Sequence, residues 1–303
     1  MSAGSAAGGL PNRVGVLGGG RMGAGIAHAF LMAGTRVAVV ERDADSASAA
    51  RDRVLAAVEG SVLRGAAAPA PDHLVTTVDW DALRGCDLVV EAVPELPELK
   101  REALRRAEEL LEPLAVLASN TSSLSIDGLA AALDRPGAFL GMHFFNPVPA
   151  SALVEVVSGT ATAASAVELV AGWVTALGKT PVVVRDSPGF ASSRLGVLLG
   201  LEAVRMVEEG VASPEAIDAA MTLGYKHPVG PLRLTDIVGL DVRLDIADYL
   251  AAELGPRFEP PALLRRMVAD GLLGRKSGHG FYDWSSGADG AAGDVSRVPE
   301  PPR

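Results

Sequence analysis

Only one cysteine, Cys86, occurs in 303 residues, so the chain cannot close an internal disulfide. The five histidines and this cysteine nowhere adopt zinc-ligand spacing, and no metal site is expected. Positive charge is scarce: 27 Lys and Arg against 37 Asp and Glu leave a net charge of −10. That balance excludes a broad electrostatic footprint for nucleic acid or for an anionic membrane, so any anionic ligand must be held by local groups. No run of 18 uncharged apolar residues is present, and the leader MSAGSAAGGLPN lacks the basic start and apolar core of a signal peptide. The expectation is a chain that neither crosses nor enters a membrane and works in a reducing, cytoplasmic setting.

What remains is ordinary globular material, 49% hydrophobic and 21% charged, long enough for two domains with a core in each. Through the first half, short β-branched runs alternate with longer amphipathic stretches, the pattern of βαβ units around a parallel sheet. Strands are expected at 14–17, 36–41, 88–93, 115–118, 139–144, 154–157 and 181–184, and helices at 22–32, 44–64, 97–111, 126–133 and 163–177. After the turn-forming Asp186-Ser187-Pro188-Gly189 the strand signal stops and 3.6-residue apolar spacing takes over. Ser213-Pro214-Glu215 then reads as an N-cap, a first-position proline and an acidic first turn. The layout is an α/β, doubly wound, mainly parallel domain over 13–186 and a smaller all-helical domain over 187–284. A leader (1–12) and a Gly/Ala/Pro-rich tail (285–303) are expected to be disordered.

The first strand runs into Gly18-Gly19-Gly20-Arg21-Met22-Gly23 and then a helix, which is GxGxxG in the context that gives it meaning. Gly18 permits the tight turn, Gly20 lets backbone approach a pyrophosphate, and Gly23 lets helix pack on strand, while the helix N-terminus offers free N–H groups. A glycine turn with no ligand is the alternative a lone motif leaves open. Here Glu41 ends the second strand 18 residues beyond Gly23, where an acidic side chain meets ribose hydroxyls. The pairing points to a dinucleotide, and the carboxylate favours NAD over NADP, with Arg42 as a group that could soften the preference.

Among the histidines only His143 ends a buried strand, in GMHFFNPVP, followed by LVEVV. A reversal around Pro149 sets His143 opposite Glu155. An imidazole beside a carboxylate is held in one tautomer and equipped to take a proton from an alcohol. The alternative is a structural, hydrogen-bonded histidine.

These blocks, together with DLVVEAVPE, ASNTSSL, DSPGF, GYKHPVGPLRLTDIVGLD and GRKSGHGFYDW, resemble the 3-hydroxyacyl-CoA dehydrogenase family, of the short-chain 3-hydroxybutyryl-CoA dehydrogenase type, from about Arg13 to Trp284. The resemblance implies a Rossmann-like domain followed by a helical domain that forms a homodimer, NAD as cofactor, and a role in fatty acid metabolism. It implies His143 as base, Glu155 as its carboxylate and Ser122 on the reacting oxygen beside the nicotinamide, although Ser122 could instead cap the helix that follows. It further implies cofactor contacts from Glu95, Lys100, Asn146 and Lys276. A solvated helix-face charge is the alternative for Glu95 and Lys100.

The chain departs from the family in three places. Ser193 stands where an asparagine often meets the substrate carbonyl, Ala152 replaces a lysine before LVEV, and the helix after the second strand has lost its lysines, leaving Arg51, Arg53 and above all Arg64 for the CoA phosphates. The expected substrate is a short (3S)-3-hydroxyacyl thioester. Acyl groups on a carrier protein, free hydroxy or sugar acids, and a non-catalytic relative on the same fold are the alternatives.

Overall fold

The computed structural model describes residues 9–285 and 291–292. The chain divides into two compact units that meet in sequence at Ser187 and Pro188.

In the first unit β1 (Arg13–Leu17), β2 (Arg36–Val40), β3 (Leu74–Thr77), β4 (Leu88–Glu91), β5 (Val116–Ser119), β6 (Phe139–Phe144), β7 (Leu153–Ser158) and β8 (Thr180–Arg185) form one sheet in the order β3-β2-β1-β4-β5-β6-β7-β8. All neighbours pair in parallel except β6 with β7. The interior strands are near-continuous apolar runs because both faces are covered, and Val14, Val16, Val39, Val90, Ala118 and Leu140 are all inaccessible. Helices α1 (Arg21–Met32), α2 (Ala44–Leu63), α3 (Pro97–Glu108), α4 (Ile126–Ala130) and α5 (Ala164–Ala176) connect the strands. The chain winds outward from β1 to β3 and then returns to place β4 beside β1. That reversal opens the crevice where doubly wound sheets bind ligands, at the C-terminal ends of β1 and β4.

The hairpin register is as the sequence spacing required: Gly141 faces Val157, Met142 faces Val156 and His143 faces Glu155. In this sheet β3 is the strand absent from the sequence expectation. It is a four-residue edge strand with only Leu74 buried and Val75 exposed, too short and too weakly alternating to stand out. Several helices also stop earlier than expected, α4 at Ala130 and α3 at Glu108.

The second unit is helical, with α6 (Ser192–Glu208), α7 (Pro214–Ala219), α8 (Pro231–Val238), α9 (Leu240–Leu254) and α10 (Ala262–Ala269) around Val204, Leu232, Leu250, Phe258, Met267 and Trp284. Ser213 caps α7 by accepting the Ala216 N–H. Buried Asp236 ties the C-terminal segment to α8, accepting the amides of Phe281 and Tyr282 and the Trp284 indole N–H. Burial pushes its carboxyl up to about 6.

The expected disorder falls partly outside the described residues, at 1–8, 286–290 and 293–303. Inside them the structure differs from that expectation. Pro11 is buried, the Asn12 amide donates to Asp87, and the two-residue strand β10 (Ala291–Ala292) pairs antiparallel with β9 (Tyr282–Asp283). These local hydrogen bonds carry no composition signal. No helix among the described residues is long and apolar enough to cross a membrane.

Candidate active site

The glycine loop follows β1 directly. Gly18 has φ +85°, and a Cβ there would meet the Ala92 carbonyl oxygen at 3.0 Å, so the turn needs glycine on both counts. A Cβ at Gly23 would sit 1.8 Å from the Gly18 carbonyl oxygen, and one at Gly19 would sit 2.3 Å from the Ala50 Cβ on α2. Gly20 is different. A Cβ there meets no protein atom within 4 Å, so the absent side chain leaves open space at the mouth of α1. Gly20 is also the N-cap of α1 and supplies no side-chain acceptor, which leaves the first N–H groups of Arg21, Met22 and Gly23 for a ligand. Glu41, just past β2, accepts the Gly19 N–H at 2.6 Å and the Arg42 N–H at 3.2 Å. The Arg42 guanidinium turns to Asp43, with Nε 2.9 Å from Oδ2. An open, uncapped helix mouth beside a carboxylate fits a dinucleotide with free ribose hydroxyls.

Beyond β4 and β5 in the sheet, three of the candidate side chains align. His143 Nδ1 lies 2.8 Å from Glu155 Oε2 across the β6–β7 ladder, and His143 Nε2 lies 3.0 Å from Ser122 Oγ, which follows β5. His143 and Glu155 are 4% and 1% exposed, so the contact is made away from water. A carboxylate can only accept, which puts the imidazole proton on Nδ1 and leaves the Nε2 lone pair facing Ser122. Ser122 does not cap the next helix. Ser125 does that, accepting the Gly128 N–H at 3.0 Å.

Lys100 is not a solvated charge on a helix face, and Glu95, which stays exposed and precedes α3, is not a lone one. Lys100 is 1% exposed, with Nζ 2.7 Å from Glu91 Oε1, 3.1 Å from Glu95 Oε2 and 3.2 Å from the Val93 carbonyl. Glu95 Oε1 receives the Thr121 hydroxyl, the amides of Ser122 and Ser123 and the Ser123 hydroxyl. Burial raises the Glu95 carboxyl, but Lys100 and the hydrogen bonds from Thr121 and Ser122 outweigh it and hold the group below the ordinary carboxylate range. Sequence reasoning missed Glu91 and Asn120. Glu91 is a charged residue closing an otherwise apolar strand, which was the available signal. Asn120 accepts the Phe144 N–H, tying β5 to the residue after His143.

Asn146 is exposed on the β6–β7 turn and joined to Pro147 by a cis peptide bond. Arg64 caps the end of α2, exposed, with Nη2 3.3 Å from Ser61 Oγ. Arg53 is engaged elsewhere, donating to the Gly19 carbonyl at 3.1 Å. In the second unit Ser193 lies in the first turn of α6, and Lys276 pairs with Asp241. Among the described residues no group of three His, Cys, Asp or Glu side chains could hold a metal ion.

Comparison with known proteins identifies both units of the chain. Residues 13–187 match the family model of the 3-hydroxyacyl-CoA dehydrogenase NAD binding domain, and residues 189–284 match that of its C-terminal domain. The chain is 42% identical over 281 residues to a probable 3-hydroxybutyryl-CoA dehydrogenase of Deinococcus radiodurans, covering 90% of this chain and 100% of that protein. It is 44% identical over 282 residues to a 3-hydroxybutyryl-CoA dehydrogenase of Mycobacterium tuberculosis, covering 90% and 98%. The crystal structure of a (S)-3-hydroxybutyryl-CoA dehydrogenase from Ralstonia eutropha superposes with a TM-score of 0.86 at 38% identity, covering 90% of this chain and 99% of that one.

Proposed function

The chain belongs to the 3-hydroxyacyl-CoA dehydrogenase family, and from that premise we propose that it interconverts a short-chain (3S)-3-hydroxyacyl-CoA, of the size of 3-hydroxybutyryl-CoA, and its 3-keto form. It is an oxidoreductase that uses NAD and acts on a CH–OH group. The observation that carries the residue assignment is the row Ser122 Oγ, His143 Nε2, His143 Nδ1 and Glu155 Oε2, half-buried at Ser122 and buried at His143 and Glu155.

NAD bound at the Gly18–Gly23 loop would supply the acceptor, or in reverse the donor, of the hydride at C3. His143 Nε2 takes the proton of the 3-hydroxyl during oxidation and donates it to the ketone in the reverse direction. Glu155 holds the ring and offsets the charge of the imidazolium. Ser122 gives its hydroxyl to the reacting oxygen and so fixes the line between that oxygen and Nε2. The loop Gly18–Gly23 and Glu41 hold the adenosine and pyrophosphate half, and Asn146 serves the nicotinamide half. Ser193 stands in for the asparagine that meets the substrate carbonyl, with one hydroxyl where the amide had two polar atoms.

Rates of NADH oxidation with acetoacetyl-CoA, longer ketoacyl-CoA esters, carrier-bound ketoacyl groups and free keto acids test the substrate. Acetoacetyl-CoA is expected to be used best, and a preference for free acids overturns the reading. One observation favours a weak hold on the adenosine end of CoA. Arg53 is spent on the Gly19 carbonyl, so of the arginines on and closing α2 only Arg51 and Arg64 are left to meet its phosphates. A pantetheine thioester should then lose less than ~10²-fold in kcat/KM, and carrier-bound groups would be accepted.

We further propose a homodimer through the second unit, supported by the exposed apolar side chains Leu195, Leu198, Val211 and Leu223. A monomer by light scattering at micromolar concentration contradicts it. A reducing cytoplasm suits Cys86, buried and with its thiol pushed up to about 11 by that burial.

A further inference from the structure

Glu91 ends β4 and is 0% exposed, so it touches neither substrate nor cofactor. Burying a carboxylate and an ammonium is costly, and apolar replacements of such pairs are often neutral or better for stability. Stability alone is therefore a poor reason for Glu91 and Lys100 to be there. Their hydrogen bonds suggest another.

Glu91 Oε2 accepts the Ser119 hydroxyl at 2.6 Å, while Oε1 accepts the Val93 N–H and the Lys100 ammonium, both at 2.7 Å. Lys100 joins Glu91 to Glu95. Glu95 in turn gathers four donors from Thr121, Ser122 and Ser123. The segment leaving β5 is thus pinned at both ends, at Ser119 by Glu91 and at Thr121–Ser123 by Glu95, and one ammonium sets the spacing of the two carboxylates. Ser122 sits within the pinned stretch, with Oγ 3.0 Å from His143 Nε2.

We infer that Glu91, acting through Lys100 and Glu95, is a positioning residue for the reaction, holding the Ser122 side chain beside His143 Nε2 so that its hydroxyl meets the reacting oxygen there. The inference rests on the reading of Ser122 and His143 as the reacting pair. Without the Glu91 charge, Lys100 has Glu95 as its one remaining carboxylate and is drawn further onto it from Oε2, turning Oε1 away from the Ser122 and Ser123 amides it accepts. The chemical groups all remain, but the hydroxyl is no longer aimed.

The test is a double-mutant cycle between Glu91→Gln and Ser122→Ala in the full chain, reading kcat, the KM for NADH and for acetoacetyl-CoA, and the unfolding midpoint. Glu91→Gln is expected to lower kcat at least ~10-fold with both KM values within ~3-fold, and to add less than ~2-fold to the loss in the Ser122→Ala background. Independent, multiplying losses overturn the inference, as does a defect confined to the KM for NADH. Should Glu91→Gln fail to fold, Thr121→Val, which removes one of the two hydroxyls that Glu95 accepts, carries the same expectation. Full kcat in both His143→Ala and Ser122→Ala would instead overturn the reading of the reacting pair, and this inference with it.

Discussion

Two substitutions in the glycine loop, three residues apart, should fail in different ways. At Gly23 a methyl group would stand 1.8 Å from the Gly18 carbonyl oxygen and 2.9 Å from its carbon. Both are backbone atoms, so the Gly18 peptide would have to retreat by roughly 1 Å against β4, an overpacking that costs about 1–3 kcal/mol. In a chain of this size each kcal/mol moves the unfolding midpoint by about 2–4 °C, so Gly23→Ala should melt several degrees lower and bind NAD poorly because its loop is displaced. At Gly20 the backbone is extended, with φ −62° and ψ −167°, and a methyl group meets no protein atom within 4 Å. Gly20→Ala should lose only the N-cap preference of glycine over alanine, under about 1 kcal/mol and so under about 4 °C. The same methyl fills the space through which a pyrophosphate reaches the α1 N–H groups, and the Kd for NADH should rise at least ~10-fold, or ~1.4 kcal/mol. Differential scanning fluorimetry and calorimetric titration of NADH measure both quantities. An NADH Kd within ~2-fold of wild type in Gly20→Ala would refute the placement of the pyrophosphate at that helix end. An unchanged midpoint in Gly23→Ala would show that the loop yields freely.

Cofactor choice should follow Glu41: with its carboxylate on the Gly19 amide and Arg42 turned to Asp43, NAD should exceed NADP by at least ~10-fold in kcat/KM, and equal values in steady-state assays would mean Arg42 prevails. His143→Ala should cost roughly 10²–10⁴ in kcat with little change in NADH affinity, and Glu155→Gln, still able to accept from Nδ1, should fall between it and wild type; a fully active His143→Ala enzyme sinks the mechanism. Asp236 titrates in the fold at about 6, above the ordinary value of 3.8, so the folded state holds the proton longer than the unfolded chain does, and this group's contribution to stability declines as pH rises between those values, by up to about 3 kcal/mol. The stability of wild type relative to Asp236→Asn should therefore fall from pH 4 to pH 7 in denaturant titrations, and a rise would show that its three N–H donors hold the carboxylate ionised.

Much of the dinucleotide loop was legible because its requirements are local. A positive φ at Gly18 and the closeness of α1 to its own strand are settled within six residues, and the acidic residue follows from the length of one βα unit. The His143–Glu155 pairing was legible for a related reason. A hairpin has one free parameter, the centre of reversal, and placing it at Pro149 sets every partner in the ladder. Strand β3 and the caps around it escaped, since four residues at a sheet edge with one buried side chain bring little periodicity.

The remainder was decided by tertiary packing. Helix α3 is rich in charge, and Lys100 reads there as one more solvated one; that it lies on the buried face with Ala103, Leu104 and Ala107, where Glu91 waits, depends on contacts nine or more residues away in sequence. Ser122 reaches His143 only because β5 and β6 are neighbours in the sheet, a parallel pairing that no turn chemistry specifies. In the second unit Asp236 looks like a helix-surface carboxylate until the segment 281–284 folds back to give it three N–H donors. Composition and spacing thus settled the fold class, the glycine loop and the facing of His143 by Glu155, because each depends on backbone geometry over a few residues. Which charges are buried, and which groups they hydrogen-bond, was settled by long-range packing, because the environment of a side chain is made by whatever the rest of the chain places against it.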